Sequence, residues 1–217
     1  MKLLIYKLIY LILALSCLAQ MRIEETIVVR AEMITEDGRL DLTAYKRGQD
    51  LIRATIQDES GRFGVDVIHK DGRIHTIERL DEETRVHELT GDEAATHLLD
   101  LLALTPRYHF DKSNIFNLKT PVFRDYRVDF ISSEEDNESV LPSKLRLYKK
   151  TNDTEVLIRE IIYSHSSRQP QKYTLELWEL ELRDLVDGKN GNIVLKKMEN
   201  NAGVPMFMFS IPDVPDK

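Results

Sequence analysis

Short alternating segments separated by turn dipeptides run through most of this chain, and they constrain it to antiparallel β structure. Ile27, Val29, Ala31 and Met33 alternate with Val28, Arg30 and Glu32, the period-2 pattern of a strand. Asp37-Gly38 follows, a pair suited to a tight turn because glycine tolerates positive φ. Leu40, Leu42 and Ala44 lead to a break at Arg47-Gly48, and Ile52, Ala54 and Ile56 run on to Ser60-Gly61. Phe63, Val65 and Val67 precede Asp71-Gly72, and residues 74–80 and 85–89 complete the series around Asp81-Glu82-Glu83. Strands joined by two-residue turns pair antiparallel, so the pattern predicts a meander.

One helix interrupts it. Thr90 is placed to cap, and Glu93 three residues later is placed to complete a capping box. Ala94, Ala95, Leu98, Leu99, Leu101, Leu102 and Leu104 then form a broad apolar face, and Pro106 ends the run. Asp92, Glu93 and Asp100 make its polar face acidic, which suits packing on a sheet and not adsorption to a membrane surface.

The second half is read as strands again. Residues 108–118 are aromatic and poorly periodic, a loop with strand character. Pro121 opens a strand in which Tyr126, Val128 and Phe130 face one way. Residues 132–140 form an acidic, polar hairpin tip without the ordered ligand spacing of a calcium loop. Leu145 and Leu147 pair with residues 156–163 around Thr151-Asn152-Asp153. In residues 172–183 the alternation slips phase at Leu177-Trp178, read either as a β-bulge or as a strand buried on both faces. Asp187-Gly188 and Asn190-Gly191 are hairpin dipeptides leading to residues 193–198, and a last apolar patch spans residues 206–211.

The N-terminus bears on compartment. Lys2 and Lys7 precede an apolar run over residues 8–15 that closes on small residues, the layout of a secretory signal peptide and too short for a comfortable membrane span. Cys17 and Ala19 fit a small-x-small cleavage site that leaves Gln20 first; the competing reading is a lipobox with Cys17 lipidated and retained. The order Ala14-Leu15 reverses the usual lipobox order, which favours soluble release. The expected domains are thus a signal peptide at 1–19 and a single β domain at 20–217. With Lys2 and Lys7 removed the formal charge goes from −7 to −9, and no basic block remains to suit nucleic acid. Cys17 is the sole cysteine, so the core holds together without a disulfide.

His69, His75, His87, His97, His109 and His165 show no zinc-ligand spacing, and the chain has no G-x-S-x-G elbow, P-loop or G-x-G-x-x-G. Neither metal nor cofactor is expected. An enzyme would need distant groups such as His109, His165 and Asp125 to converge in one cleft.

Several stretches resemble one family. Tyr45-Lys46-Arg47 followed by Leu51-Ile52-Arg53 resembles the Y-x-F-K-R-P-x-K-x-R strand pair of the periplasmic outer-membrane lipoprotein carriers (LolA-like), with Gly48 where proline is frequent. Residues 67–74 and 79–86 are similar to that family's next hairpin, and the Gly91–Leu104 helix falls where the family has a lid helix. Residues 141–145 and 158–163 resemble its later strand pair. The chain departs from the family in lacking an amphipathic helix before residue 26 and in carrying His75 and Ile77 where an aromatic pair is usual.

The residues and the resemblance together predict a mainly β fold, a strongly curved antiparallel sheet or half-barrel with one apolar helix on its concave side. The resemblance implies an exported carrier, periplasmic or anchored at the outer membrane through Cys17, that holds acyl chains of a lipid or lipoprotein without catalysis and passes them to a membrane-anchored acceptor protein. The expected lining is Ile52, Ile56, Phe63, Val65, Val67, Leu98, Leu102, Tyr126, Val128 and Phe130. The alternative is an exported protein-interaction or outer-membrane assembly module with the same fold and no lipid, using a sheet edge or the 132–140 tip.

Overall fold

The computed structural model describes residues 26–36, 38–81, 83–105, 120–131, 143–152, 154–165 and 178–212. The signal-like stretch 1–19, the loop 108–118 and the acidic tip 132–140 lie outside the described residues. A first meander contains β1 (Thr26–Thr35), β2 (Gly38–Arg47), β3 (Leu51–Gln57), β4 (Phe63–Lys70), β5 (Arg73–Leu80) and β6 (Glu83–Leu89). A second contains β7 (Tyr126–Ile131), β8 (Lys144–Lys150), β9 (Glu155–His165), β10 (Trp178–Asp184) and β11 (Asn190–Asn200). All eleven form one sheet in the order β6-β5-β4-β3-β2-β1-β11-β10-β9-β8-β7. Every neighbouring pair is antiparallel. The first and last strands meet in the middle, with Val29 opposite Met198 and Met33 opposite Ile193, and so join the two meanders.

Turn chemistry explains the first meander. Asp71 and Gly72 have φ of 53° and 74°, the paired left-handed geometry whose twist matches that of the flanking strands. Two expectations, one of a turn and one of a strand start, need correction. Asn190-Gly191 is not a turn but the start of β11, where a Cβ on Gly191 would lie 3.4 Å from Met33 Cε; the glycine permits close approach within the sheet. The β10–β11 reversal comes just before it, capped by the Asp184 carboxylate, which accepts from the Val186 and Asp187 amides at 2.9 Å each. Pro121 does not open a strand either. Pro121–Phe123 is a 3-10 turn, with Thr120 Oγ1 accepting from the Val122 amide at 3.2 Å. Proline has no N–H for a ladder, and β7 begins only at Tyr126.

Register slips between Arg30 and Ala31 on the β11 side of β1, and between Leu147 and Tyr148 against β9. Such bulges add local twist and help the sheet curl. The slip expected at Leu177-Trp178 sits at the border of the described residues, because β10 starts at Trp178.

Helix α1 (Gly91–Leu104) lies on the concave side, as expected, with Ala94, Ala95, Leu98, Leu99 and residues 101–104 buried. It touches β3, β4 and β5 of one meander and β8 and β9 of the other. Its apolar face shares one core with Ile27, Val29, Leu42, Ala44, Ile52, Val67, Leu145, Ile161, Leu180 and Ile193, which come from both meanders. The capping box does not form: Thr90 takes the N-cap position, but its side chain makes no cap hydrogen bond. Gly91 after it has φ 58°, so the first turn leaves helical geometry where the box would close.

A smaller cluster sits outside that core. Ile68, Ile77, Val204 and Phe209 are buried without belonging to it. Ile68 and Ile77 project from the convex side of β4 and β5, opposite in phase to Val67. The 3-10 turn Met206–Phe209 is held there by Arg53 Nη1, which donates to the Met208 carbonyl at 2.7 Å. Arg53 also binds Asp66 at 2.6 Å, and Arg79 binds the same fully buried carboxylate at 2.5 and 3.1 Å. Burial opposes ionisation of Asp66, yet Arg79, Thr55 and Arg53 hold its carboxyl below the usual carboxylate value. Asp66→Ala strands Arg53 in this layer, whereas Arg79 is 39 % exposed and can turn to water. The expected loss is about 3 kcal/mol in urea unfolding, the lower end for breaking a buried pair.

Candidate functional site

Charged residues on apolar strand phases build the site under the helix. Lys46 alternates in step with Leu42 and Ala44, so β2 carries a lysine into the concave core. Its buried Nζ donates to the Thr105 carbonyl at the end of α1 at 3.0 Å. Tyr163 Oη donates to the Ala103 carbonyl at 3.2 Å, and Thr105 Oγ1 to the Leu101 carbonyl at 2.9 Å. These donors answer carbonyls that a helix end leaves unpaired. Burial, with the Asp100 charge added, pushes the Tyr163 hydroxyl well above its ordinary pKa, so it remains a donor.

Two of the three acids of α1 turn to the sheet. Arg159 of β9 grips Asp100 with Nε at 3.0 Å and Nη2 at 2.6 Å, and the pair is largely withdrawn from water, at 10 % and 16 % exposure. Arg159 Nη1 stands 3.7 Å from the Asp184 carboxylate. Asp92 accepts from Tyr126 Oη at 2.6 Å and from Lys149 Nζ at 2.8 Å. Burial resists ionisation of Asp92, but Lys149 and Tyr126 hold its carboxyl below the ordinary value. The helix is therefore clamped by polar contacts to both ends of its buried face. Its acidic face, expected to look outward, keeps that role only at the exposed Glu93.

A cavity of about 710 Å³ opens beside this arrangement, between the β1–β2 and β10–β11 hairpins and the start of β4. Met33, Leu40, Phe63 and Leu182 give it apolar walls, Thr35 and Asn190 polar ones, and Glu36, Arg39, Asp58, Arg159 and Lys189 charged ones. Gly38, Gly188 and Gly191 complete it. Arg159 thus serves both as cavity wall and as clamp on α1.

Of the ten residues expected to line a site, Phe63 borders this cavity and is 38 % exposed. Ile52, Val67, Leu98, Leu102 and Tyr126 are buried in the core beneath and within α1. Ile56, Val65, Val128 and Phe130 are half-buried and packed against that core. Met33, Leu40 and Leu182 were not singled out, although each continues the apolar phase of its strand toward a turn. Lys46 and Arg159 were missed as well; their signal is a charge in step with apolar neighbours.

His69 of β4 is another polar residue in that phase. It is 2 % exposed, and neither Nδ1 nor Nε2 has a hydrogen-bond partner. His109 and the side chain of His165 lie outside the described residues, and Asp125 is exposed. No three His, Cys, Asp or Glu side chains among the described residues gather as a metal site would.

Structures similar to this chain include a domain described as an outer membrane lipoprotein-sorting protein from Vibrio parahaemolyticus, 10 % identical, covering 86 % of this chain and 89 % of that one at a TM-score of 0.46. A LolA superfamily protein from Nitrosomonas europaea is 11 % identical, covering 87 % and 90 % at a TM-score of 0.44. A DUF1329 family protein from Desulfovibrio piger is 11 % identical, covering 86 % and 90 % at 0.36. No protein-family model and no curated protein matches the chain.

Burial lowers the pKa of His69 against the raising pull of Asp50 and Asp71, so the fold keeps the ring neutral where the unfolded chain protonates it. Its share of stability is complete above the unfolded value of about 6.5 and falls as pH drops below it, because the unfolded state then binds the extra proton. Denaturant midpoints should therefore decline between roughly pH 7 and pH 5, by at most about 1.4 kcal/mol per pH unit. His69→Leu should remove that slope.

Proposed function

We propose that the chain is an exported, non-catalytic carrier that holds the acyl chains of a lipid or lipoprotein against the concave face of its sheet. The observation that carries this reading is the cavity at Met33, Leu40, Phe63 and Leu182, which meets the apolar layer beneath α1. Its size falls within the usual range of small-molecule sites. Helix α1 covers the concave face. Acyl chains entering by the cavity take over part of that cover, each buried methylene contributing about 0.8 kcal/mol. Helix α1 is held by the apolar core it shares with the sheet and by hydrogen bonds and ion pairs; acyl chains replace the apolar part of those contacts as the helix moves, and the polar part re-forms with water. Such a function asks for no catalytic group.

Residues 1–19 direct export in this reading, and cleavage before Gln20 leaves a soluble periplasmic carrier that delivers to a membrane-anchored acceptor protein. Among the described residues no helix is long and apolar enough to cross a membrane.

Native mass spectrometry after incubation with phospholipid vesicles tests the proposal. Bound lipid is the expected outcome. Leu40→Trp, which fills the cavity mouth at a half-buried position, should lower lipid occupancy about tenfold, equivalent to about 1.4 kcal/mol. Protein that stays bare at every lipid concentration would sink the carrier reading and favour the interaction module.

A further inference from the structure

His69 is the least satisfied buried side chain among the described residues: both ring nitrogens lack partners while the residue is 2 % exposed. A neutral imidazole always presents one N–H donor and one acceptor, and buried groups of this kind are normally paired. On the concave face His69 pairs across the sheet with Ile52 on β3 and Ile74 on β5, both fully buried. Nothing in that packing calls for a polar ring, since Val65 and Val67 occupy the preceding concave positions of the same strand. The next residue in this row, beyond Ile52, is Lys46. Its ammonium donates to a carbonyl oxygen, that of Thr105 at the end of α1. A carbonyl acceptor already lies in the same layer as the unpaired imidazole, supplied by the helix that covers the site.

We propose that His69 is the polar anchor of the carrier's ligand, its ring N–H donating to the carbonyl oxygen of an acyl ester or amide. This rests on the carrier reading and adds to it the side chain that receives the acyl carbonyl. The carbonyl comes to rest in the Lys46–Ile52–His69 row as the end of α1 gives way. The hydrocarbon then follows the concave positions of β4, Val67 and Val65, to Phe63 at the cavity. Those six residue steps cover roughly 20 Å at about 3.3 Å per residue, comparable with a long acyl chain. The unpaired imidazole makes the empty protein less stable than an apolar side chain would, and the ligand supplies the missing partner.

Three fluorescent probes with one chromophore test the idea on the full chain: decylpyrene, the methyl ester of pyrenedecanoic acid, and its N-methyl amide. The wild-type protein should bind the ester, the amide or both about tenfold more tightly than decylpyrene, and the two carbonyl probes separate ester from amide selectivity. His69→Leu should erase that preference and raise the unfolding midpoint of the empty protein. In wild-type protein the His69 ring ¹⁵N shift should move with a carbonyl probe and stay put with decylpyrene, a readout that does not depend on the variant folding. Equal binding of all three probes would leave the carrier reading standing and overturn the anchor. Binding of none would overturn both. A preference retained by His69→Leu, or a lowered midpoint in that variant, would also overturn the anchor.

Discussion

The structure depends on covering a helix that cannot be left in water. Helix α1 buries leucine and alanine side chains over most of its circumference, and no single strand pair offers enough apolar surface to shelter it. The sheet does so by curling, with β3 to β5 on one side of the helix and β8 and β9 on the other. Pairing of β1 with β11 makes this possible, since it turns two meanders into one continuous surface with the helix between them. The bulges in β1–β11 and β8–β9 supply local twist without breaking the alternation that keeps one face apolar.

Apart from His69, the polar groups described inside that cover are compensated one by one. Lys46 and Tyr163 meet helix carbonyls, Arg159 meets Asp100, and Lys149 with Tyr126 meets Asp92. Each pair is local and bridges helix to sheet, adding polar fastenings to the apolar core that the two share. On the convex side lies the Arg53–Asp66–Arg79 group: a fully buried carboxylate with two guanidinium partners fixes the C-terminal turn in place. The molecule thus carries an ion-paired lock on its outer face and, on its inner face, a helix held by a shared apolar core and by polar pairs.

Much of the architecture was legible because antiparallel strands write their geometry locally. Alternation at Ile27–Met33, Ile52–Ile56 and Phe63–Val67 marked strands, and Asp71-Gly72 marked a reversal, since each depends only on neighbours in sequence. Pairing of β1 with β11 is non-local and had no such mark. The misreadings have a common cause. Asn190-Gly191 has turn composition, but Gly191 answers the approach of Met33 from another strand. Pro121 resembles a strand opener until the Thr120 cap draws it into a 3-10 turn. For the site, apolar alternation identified the concave layer but not which parts of it stay empty. Met33, Leu40 and Leu182 differ from sealed core residues only in where the hairpins leave space. Lys46, Arg159 and His69 were visible as polar residues in apolar phase, yet their partners, or lack of them, come from distant elements.

The most direct test of this account is amide hydrogen exchange of α1 with and without a bound lipid. In the ligand-free protein the amides of residues 98–104 should exchange among the slowest, alongside β1 and β11, since they lie in the same core. Loading with lipid should speed exchange across α1 about tenfold or more while the two central strands keep their protection. Unchanged or stronger protection of α1 in lipid-loaded protein would contradict the account, because the helix would then be a fixed part of the core and the ligand would sit elsewhere.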